Sequence, residues 1–165
     1  MSTENKSFTP KEIKDLWQTP KVLFNNLNDE FEFTGDVAAD FNNALCSNFW
    51  TEKDNSLEQR WFKSNFCNPP YSDIGPWIDK ATKEHNAGRS TVILVPADTS
   101  VKWFKRAIET CNEARFISGR LSFINAETQK PVNGNNKGSV LLIWRAYCKT
   151  PCVMSLVDRD ELMKG

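Results

Sequence analysis

The sequence predicts one α/β domain built on a mainly parallel sheet, with its last two strands paired as an antiparallel hairpin. Three observations carry this. Strand-like and helix-like segments alternate along the chain, the order that lays helices on both faces of a parallel sheet. Residues 91–96 (Thr-Val-Ile-Leu-Val-Pro) form an uninterrupted apolar run, as a strand covered on both faces requires. The chain has 165 residues, 39% of them apolar, which suits one core with little room for a second. Residues 1–16 read as an N-terminal extension, 17–148 as the domain and 149–165 as a C-terminal tail.

Each element has a local reason. Thr19-Pro20 opens the first helix: Thr can cap free amides, and Pro loses nothing in a first turn. Val22, Leu23, Leu27 and Phe31 then recur at near-helical spacing. Residues 32–39 read as a strand with Asp36 near its far end, and the polar stretch 40–64 has room for one short strand. Residues 65–67 are extended and stop at Asn68-Pro69-Pro70-Tyr71, because two prolines continue neither a ladder nor a helix. Pro76 starts a helix that ends near Gly88. Asp98, Thr99 or Ser100 can cap a third helix, whose Val101, Phe104, Ile108 and Cys111 share one side. Residues 115–118 and 139–145 form the hairpin strands, separated by a segment rich in Asn, Gly and Lys. Ligands of such sheets bind at the carboxyl ends of the strands, where Asp36, the Asn68 turn and residues 96–98 all fall.

Composition excludes several classes. No apolar run approaches the ~20 residues of a membrane span, and the first residues, Met1-Ser-Thr-Glu-Asn-Lys, resemble no signal peptide. Five scattered cysteines and a lone His85 offer no zinc-ligand spacing, so no metal is expected and the thiols suit a reducing, cytoplasmic setting. Net charge is zero, yet its distribution is uneven. Residues 1–99 hold ten Lys/Arg against fifteen Asp/Glu, whereas residues 100–149 hold nine against three. A locally basic face can meet phosphates on a neutral protein; a merely solvated surface accounts for the asymmetry as well.

Asn68-Pro69-Pro70-Tyr71 carries the chemistry. An exocyclic amine on an aromatic base is a poor nucleophile, because its lone pair is delocalised into the ring. Two acceptors aimed at its hydrogens, the Asn68 side-chain oxygen and the Pro69 carbonyl, would free that lone pair and stabilise the charge that grows on nitrogen. Pro69 and Pro70 stiffen the turn, and Tyr71 offers a face for a base taken out of its stack. The rival reading is a structural proline turn. Enzymes that methylate glutamine or guanine amines share motifs of this type, so the motif names a reaction class before a substrate.

The segments Trp17-Gln-Thr-Pro20, Asp36-Val-Ala-Ala39, Asn43-Ala-Leu-Cys46, Cys67-Asn-Pro-Pro-Tyr71, Trp77-Ile78 and Gly119-Arg-Leu-Ser-Phe123 together resemble the phage-type DNA adenine-N6 methyltransferase (Dam) family. The resemblance implies a Rossmann-like methyltransferase domain with S-adenosyl-L-methionine as donor and double-stranded DNA as partner. It implies that Trp17, Thr19 and Pro20 border the methionine end of the donor and that Asp36 sits near it. Ala38 and its neighbour stand where methyltransferases usually carry glycines, which leaves room for close approach with less backbone freedom. Asp40 and Asp54 are both candidates for the donor ribose, and each has a plain surface role as its rival.

Arg120 and Phe123 are expected beside a flipped base or its phosphate, against the reading of a turn glycine, Gly119, and a core ring, Phe123. Lys130 and Lys137, in the polar stretch 125–137, are expected to touch DNA, against a solvated loop. The expected protein is a site-specific methyltransferase that flips its base, with protection from restriction and regulation both open as its role. It would be a monomer or weak homodimer in the cytoplasm, that of the host cell if phage-encoded. The rivals are a methyltransferase of protein glutamine or of an RNA base amine, and a DNA-binding module without activity.

Overall fold

The computed structural model describes residues 17–132 and 137–165, so the extension 1–16 and part of the polar stretch 125–137 lie outside the described residues. Its strands are β1 (Trp17–Gln18), β2 (Gly35–Ala39), β3 (Phe49–Thr51), β4 (Ser64–Cys67), β5 (Ser90–Pro96), β6 (Glu113–Ser118), β7 (Ile124–Asn125), β8 (Ser139–Trp144) and β9 (Val153–Asp158). The helices are α1 (Lys21–Phe31), α2 (Gly75–Asn86), α3 (Lys102–Thr110) and α4 (Arg159–Leu162). Seven strands form one sheet in the order β3-β2-β4-β5-β8-β6-β9, and β1 pairs with β7 in a separate ribbon. Among the described strands of the sheet, β8 alone runs against its neighbours, antiparallel to both β5 and β6. This is the mainly parallel, Rossmann-like α/β arrangement expected, and the β6–β8 pairing is the anticipated antiparallel one.

Strand alternation builds two cores. Ile93 and Val95 of β5, with Val140, Leu142 and Trp144 of β8, meet α2 and α3 through Ile78, Ala81, Phe104 and Ala107. Val92, Leu94, Leu141 and Ile143 face the other way onto Leu23, Phe24 and Leu27 of α1. The continuous apolar runs therefore divide at period two between two helical layers.

Several boundaries differ from expectation for visible reasons. Pro20, not Thr19, is the residue before α1, and no side chain caps that end. The helix stops because Asn28 takes the next two amides: its carbonyl accepts from Glu32 N and its Oδ1 from Phe33 N at 2.8 Å. Glu32 then turns left-handed at φ 48°, so β2 begins only at Gly35. Asp36 is accordingly the second residue of its strand rather than near the far end. Asp98 tightens its own loop through Ser100, and no side chain caps α3, which follows Val101. Residues 149–165, set apart above as a tail, contribute β9, which pairs with β6 in parallel along six residues, and α4, capped by Asp158.

Candidate active site

The carboxyl ends of β2, β4, β5 and β6 and the amino end of β8 converge on one edge of the sheet. The Asn68 turn leaves β4 at the middle of that edge. Pro69 is buried, while Asn68, Pro70 and Tyr71 are half-buried. Asn68 Nδ2 donates to the Trp17 carbonyl at 3.2 Å. A carbonyl accepts only from the nitrogen end of the amide, so this bond orients the side chain and leaves Oδ1 as its acceptor end. Trp17 is held in turn by pairing opposite Asn125 of β7.

Three rings brace the turn. Trp17 stacks on Phe123, with centroids 5.6 Å apart and planes 16° from parallel. Tyr71 meets both edge-on, at 6.4 Å and 5.9 Å. The Tyr71 hydroxyl donates to the Leu94 carbonyl of β5 at 3.1 Å, and burial holds its pKa well above the usual phenol value. That hydroxyl is therefore an anchor into the central strand, a role that the sequence did not disclose. Phe123 is 2% exposed and belongs to the core beneath Trp17, so it is the core ring of the two readings and not a surface contact.

On β2, Asp36 is 4% exposed and burial raises its pKa to about 6. Its oxygens accept from Leu45 N at 3.1 Å and Ala38 N at 3.3 Å, which ties β2 to the loop that follows it. The same burial, with Asp36 close by, raises the Cys46 thiol to about 11. Both ribose candidates are engaged in turns. Asp40 Oδ1 accepts from the amides of Asn42 and Asn43 at 2.7 and 2.9 Å. Asp54 Oδ2 accepts from the amide and hydroxyl of Thr51, both at 2.8 Å, and these bonds hold its pKa below the usual carboxylate range.

The group implied by the sequence carries a carboxylate, an ammonium and a sulfonium, and two unmatched groups here fit it. The Trp17 indole N–H is buried without an acceptor. Asp36 is a buried carboxylate without a salt-bridging cation among the described residues. Ala38, small and half-buried, is the next-to-last residue of β2. Thr19, 8% exposed, and Pro20 lie between Trp17 and α1.

On the β6–β8 side, Arg120 is exposed, and its carbonyl accepts from Arg159 Nη1 at 3.0 Å. Gly119 before it needs its left-handed φ of 97°, with the Arg159 side chain packed close by. Residues 124–131 form a tight hairpin. Asn125 Oδ1 accepts from Glu127 N and Thr128 N, and Ile124 bridges Pro131. Lys130 is exposed on it. Lys137 behaves differently: its Nζ lies 2.6 Å from Asp98 Oδ2 and draws that carboxyl down to about 2. Lys137 is thus already paired within the protein. His85 bonds the Arg145 carbonyl at 2.8 Å, away from this edge. Among the described residues no group of His, Cys, Asp and Glu could hold a metal ion, and no helix is long and apolar enough to cross a membrane. A surface hollow lined by Thr34, Arg60, Lys63 and Arg89 lies at the amino ends of the strands and contains none of these residues.

Known proteins resemble this chain along most of its length. It is 35% identical over 155 residues to the DNA N-6-adenine-methyltransferase of Escherichia phage T1, covering 83% of this chain and 65% of that protein. It thus spans just under two thirds of the phage T1 relative. It is 35% identical over 147 residues to the protein of the same name from Haemophilus phage HP1, covering 84% and 83%. A putative methyltransferase of Escherichia coli K12, YfdM, shares 36% identity over 75 residues, covering 41% of this chain and 78% of that protein. The DNA N-6-adenine-methyltransferase (Dam) family matches residues 6–165, nearly the whole sequence, and the chain belongs to that family.

Proposed function

We propose that this protein transfers a methyl group from S-adenosyl-L-methionine to the N6 amine of adenine in double-stranded DNA, with the target base rotated out of the helix. The observation that carries the reading is the Asn68 amide, fixed by the Trp17 carbonyl with Oδ1 as its acceptor end. When bound, the donor supplies an electrophilic methyl on sulfur. The chain's own residues act on the amine. Asn68 Oδ1 and the Pro69 carbonyl accept its two hydrogens, localise the nitrogen lone pair and offset the positive charge that develops there. The prolines and the three rings hold these acceptors in place before the base arrives. Once methylated, the nitrogen is strongly acidic and its surplus proton passes to water, so no strong base is needed.

Thr19, Pro20, Ala38 and Asp36 would line the donor, with the Trp17 indole N–H toward its carboxylate and Asp36 toward its cationic end. Asp40 or Asp54 would reach the ribose only by sharing a carboxylate already bonded in a turn. Arg120 and Lys130 would meet the DNA backbone, in keeping with the phage relatives and a cytoplasmic setting. Incubation with methyl-labelled donor and DNA, RNA or a glutamine-bearing protein tests the proposal. Label in N6-methyladenine of duplex DNA is expected; label only in RNA or protein, or none, overturns it.

A further inference from the structure

The sheet ends on β9, and among the described residues β9 has a single strand neighbour, β6. Its outer edge therefore presents unpaired backbone groups, a template for another strand. Natural edges of this kind are usually blunted by charge, proline or a bulge. Residues 153–157, Val-Met-Ser-Leu-Val, carry none of these. Val153 is 61%, Met154 56% and Leu156 71% exposed, which makes this edge the main concentration of exposed large apolar side chains described.

We infer that β9 is a self-association surface, on which a second copy of this chain pairs antiparallel, edge to edge, about a two-fold axis near Ser155. Pairing centred there sets Met154 of one copy directly opposite Leu156 of the other, and Leu156 opposite Met154. Opposed residues in an antiparallel pair share a face, so the four apolar side chains form one cluster. Val153 falls opposite Val157 on the other face. Charge favours this direction over a heterologous partner. Exposed Lys149 precedes the strand, and exposed Asp158, Asp160 and Glu161 follow it, so antiparallel pairing carries the basic start of each copy toward the acidic end of the other. Arg159 and Lys164 are already paired with Asp160 and Glu161 in their own copy, whereas Asp158 has no salt-bridging cation among the described residues. A two-fold contact is closed, so it yields a dimer and not a fibre. One strand edge is a small interface, and the dimer is accordingly weak and concentration-dependent. The inference does not depend on the chemistry at Asn68.

Sedimentation equilibrium across micromolar to millimolar chain, on the full chain, tests it. The parent is expected to approach twice its monomer mass. Leu156→Lys should weaken association about tenfold or more at unchanged thermal midpoint, because a lysine blunts a strand edge and the side chain already lies in solvent. Ser155→Cys reports the register: mild oxidation should give a disulfide-linked dimer absent from the oxidised parent, since opposed Cα atoms in such a pair lie within disulfide reach. A parent that stays monomeric to millimolar concentration overturns the inference. So does an assembly larger than a dimer, or one indifferent to Leu156→Lys. A Ser155→Cys chain that cross-links no more than the parent overturns the proposed axis.

Discussion

The Asn68 turn and the hairpin at residues 124–131 lie side by side on one edge of the sheet, yet they are held in opposite ways. The turn is fixed by distant partners: the Trp17 carbonyl, the Leu94 carbonyl and the ring of Phe123. The hairpin is anchored at its base by β1, where Asn125 pairs with Trp17, but its tip is fixed locally, with Asn125 Oδ1 serving amides two and three residues ahead, while Lys130 stays exposed. Long-range bracing suits a group whose orientation must be set before substrate arrives. Local bracing suits side chains that must adapt to a polymer. The contrast teaches where a substitution should cost chemistry and where it should cost only affinity.

The largest effect is expected at Asn68. Asn68→Ala should lower methyl transfer by about 10²–10³-fold, the typical worth of one preorganised acceptor or donor, while donor affinity by calorimetry stays near that of the parent. Turnover within a few-fold of the parent would erase the distinction between the two regions.

Tyr71 comes next and is read in stability. Tyr71→Ala should cost about 2–3 kcal/mol in urea denaturation, less than a fully buried ring because Tyr71 is half-buried. Tyr71→Phe should cost about 1 kcal/mol, the worth of the hydroxyl's bond to Leu94. Equal losses would mean that the ring does not brace the turn.

Asp36 supplies a pH signature of the donor side. Its folded pKa, about 6, lies above its ordinary value of 3.8, so folding favours the protonated form. Stability from this group is fully present below pH 3.8 and is lost as pH rises through 6, by about 2–3 kcal/mol at roughly 1.4 kcal/mol per unit. Carboxylates with lowered values, such as Asp98 near 2, act oppositely but finish titrating at lower pH. Between pH 5 and 7 the thermal midpoint should therefore fall with rising pH, and Asp36→Ala should flatten that slope. A parent midpoint that rises through this window would remove the buried carboxylate from the account.

The smallest effects belong to the lysines. Lys130→Ala should lower the salt slope of DNA binding by about one, whereas Lys137→Ala should change it less, because Lys137 already neutralises Asp98. Equal changes would show that DNA displaces the Asp98 pair.

Much of this was legible in the sequence, and what was hidden shares one physical character. The β5 run, the proline turn and the alternation of the main helices with the strands from β2 to β8 follow from local pattern, and these are found as expected. The β1–β7 ribbon was not legible, because two residues per strand carry no periodicity. Nor was the bond from Asn68 to Trp17, whose partner lies 51 residues away. The tail hid β9 because its alternation, Val-Met-Ser-Leu-Val-Asp, is apolar on both faces and gives no buried side. The turn bonds of Asp40 and Asp54 were not legible either, because a turn cap and a ribose acceptor use the same residue type. Phe123 carries two readings in the sequence because a ring after a turn glycine has no sequence mark of depth.

The reversed direction of β8 has a consequence for how such a protein can be altered. Because β8 returns antiparallel beside β6, with Phe116 opposite Val140, the segment between Ser118 and Ser139 leaves and re-enters the sheet at adjacent points of one edge. Its two ends are already together, whatever its length. Doubling such a loop costs only about 0.6 kcal/mol in closure entropy, and neither core layer needs to shift as long as Leu121 and Phe123, which lie in the core, are kept. The segment is thus an exchangeable cassette. A recipient domain could accept a longer or differently worded insert here, provided that the strand through Ile124 and Asn125 still grips Trp17 and so keeps Asn68 in line.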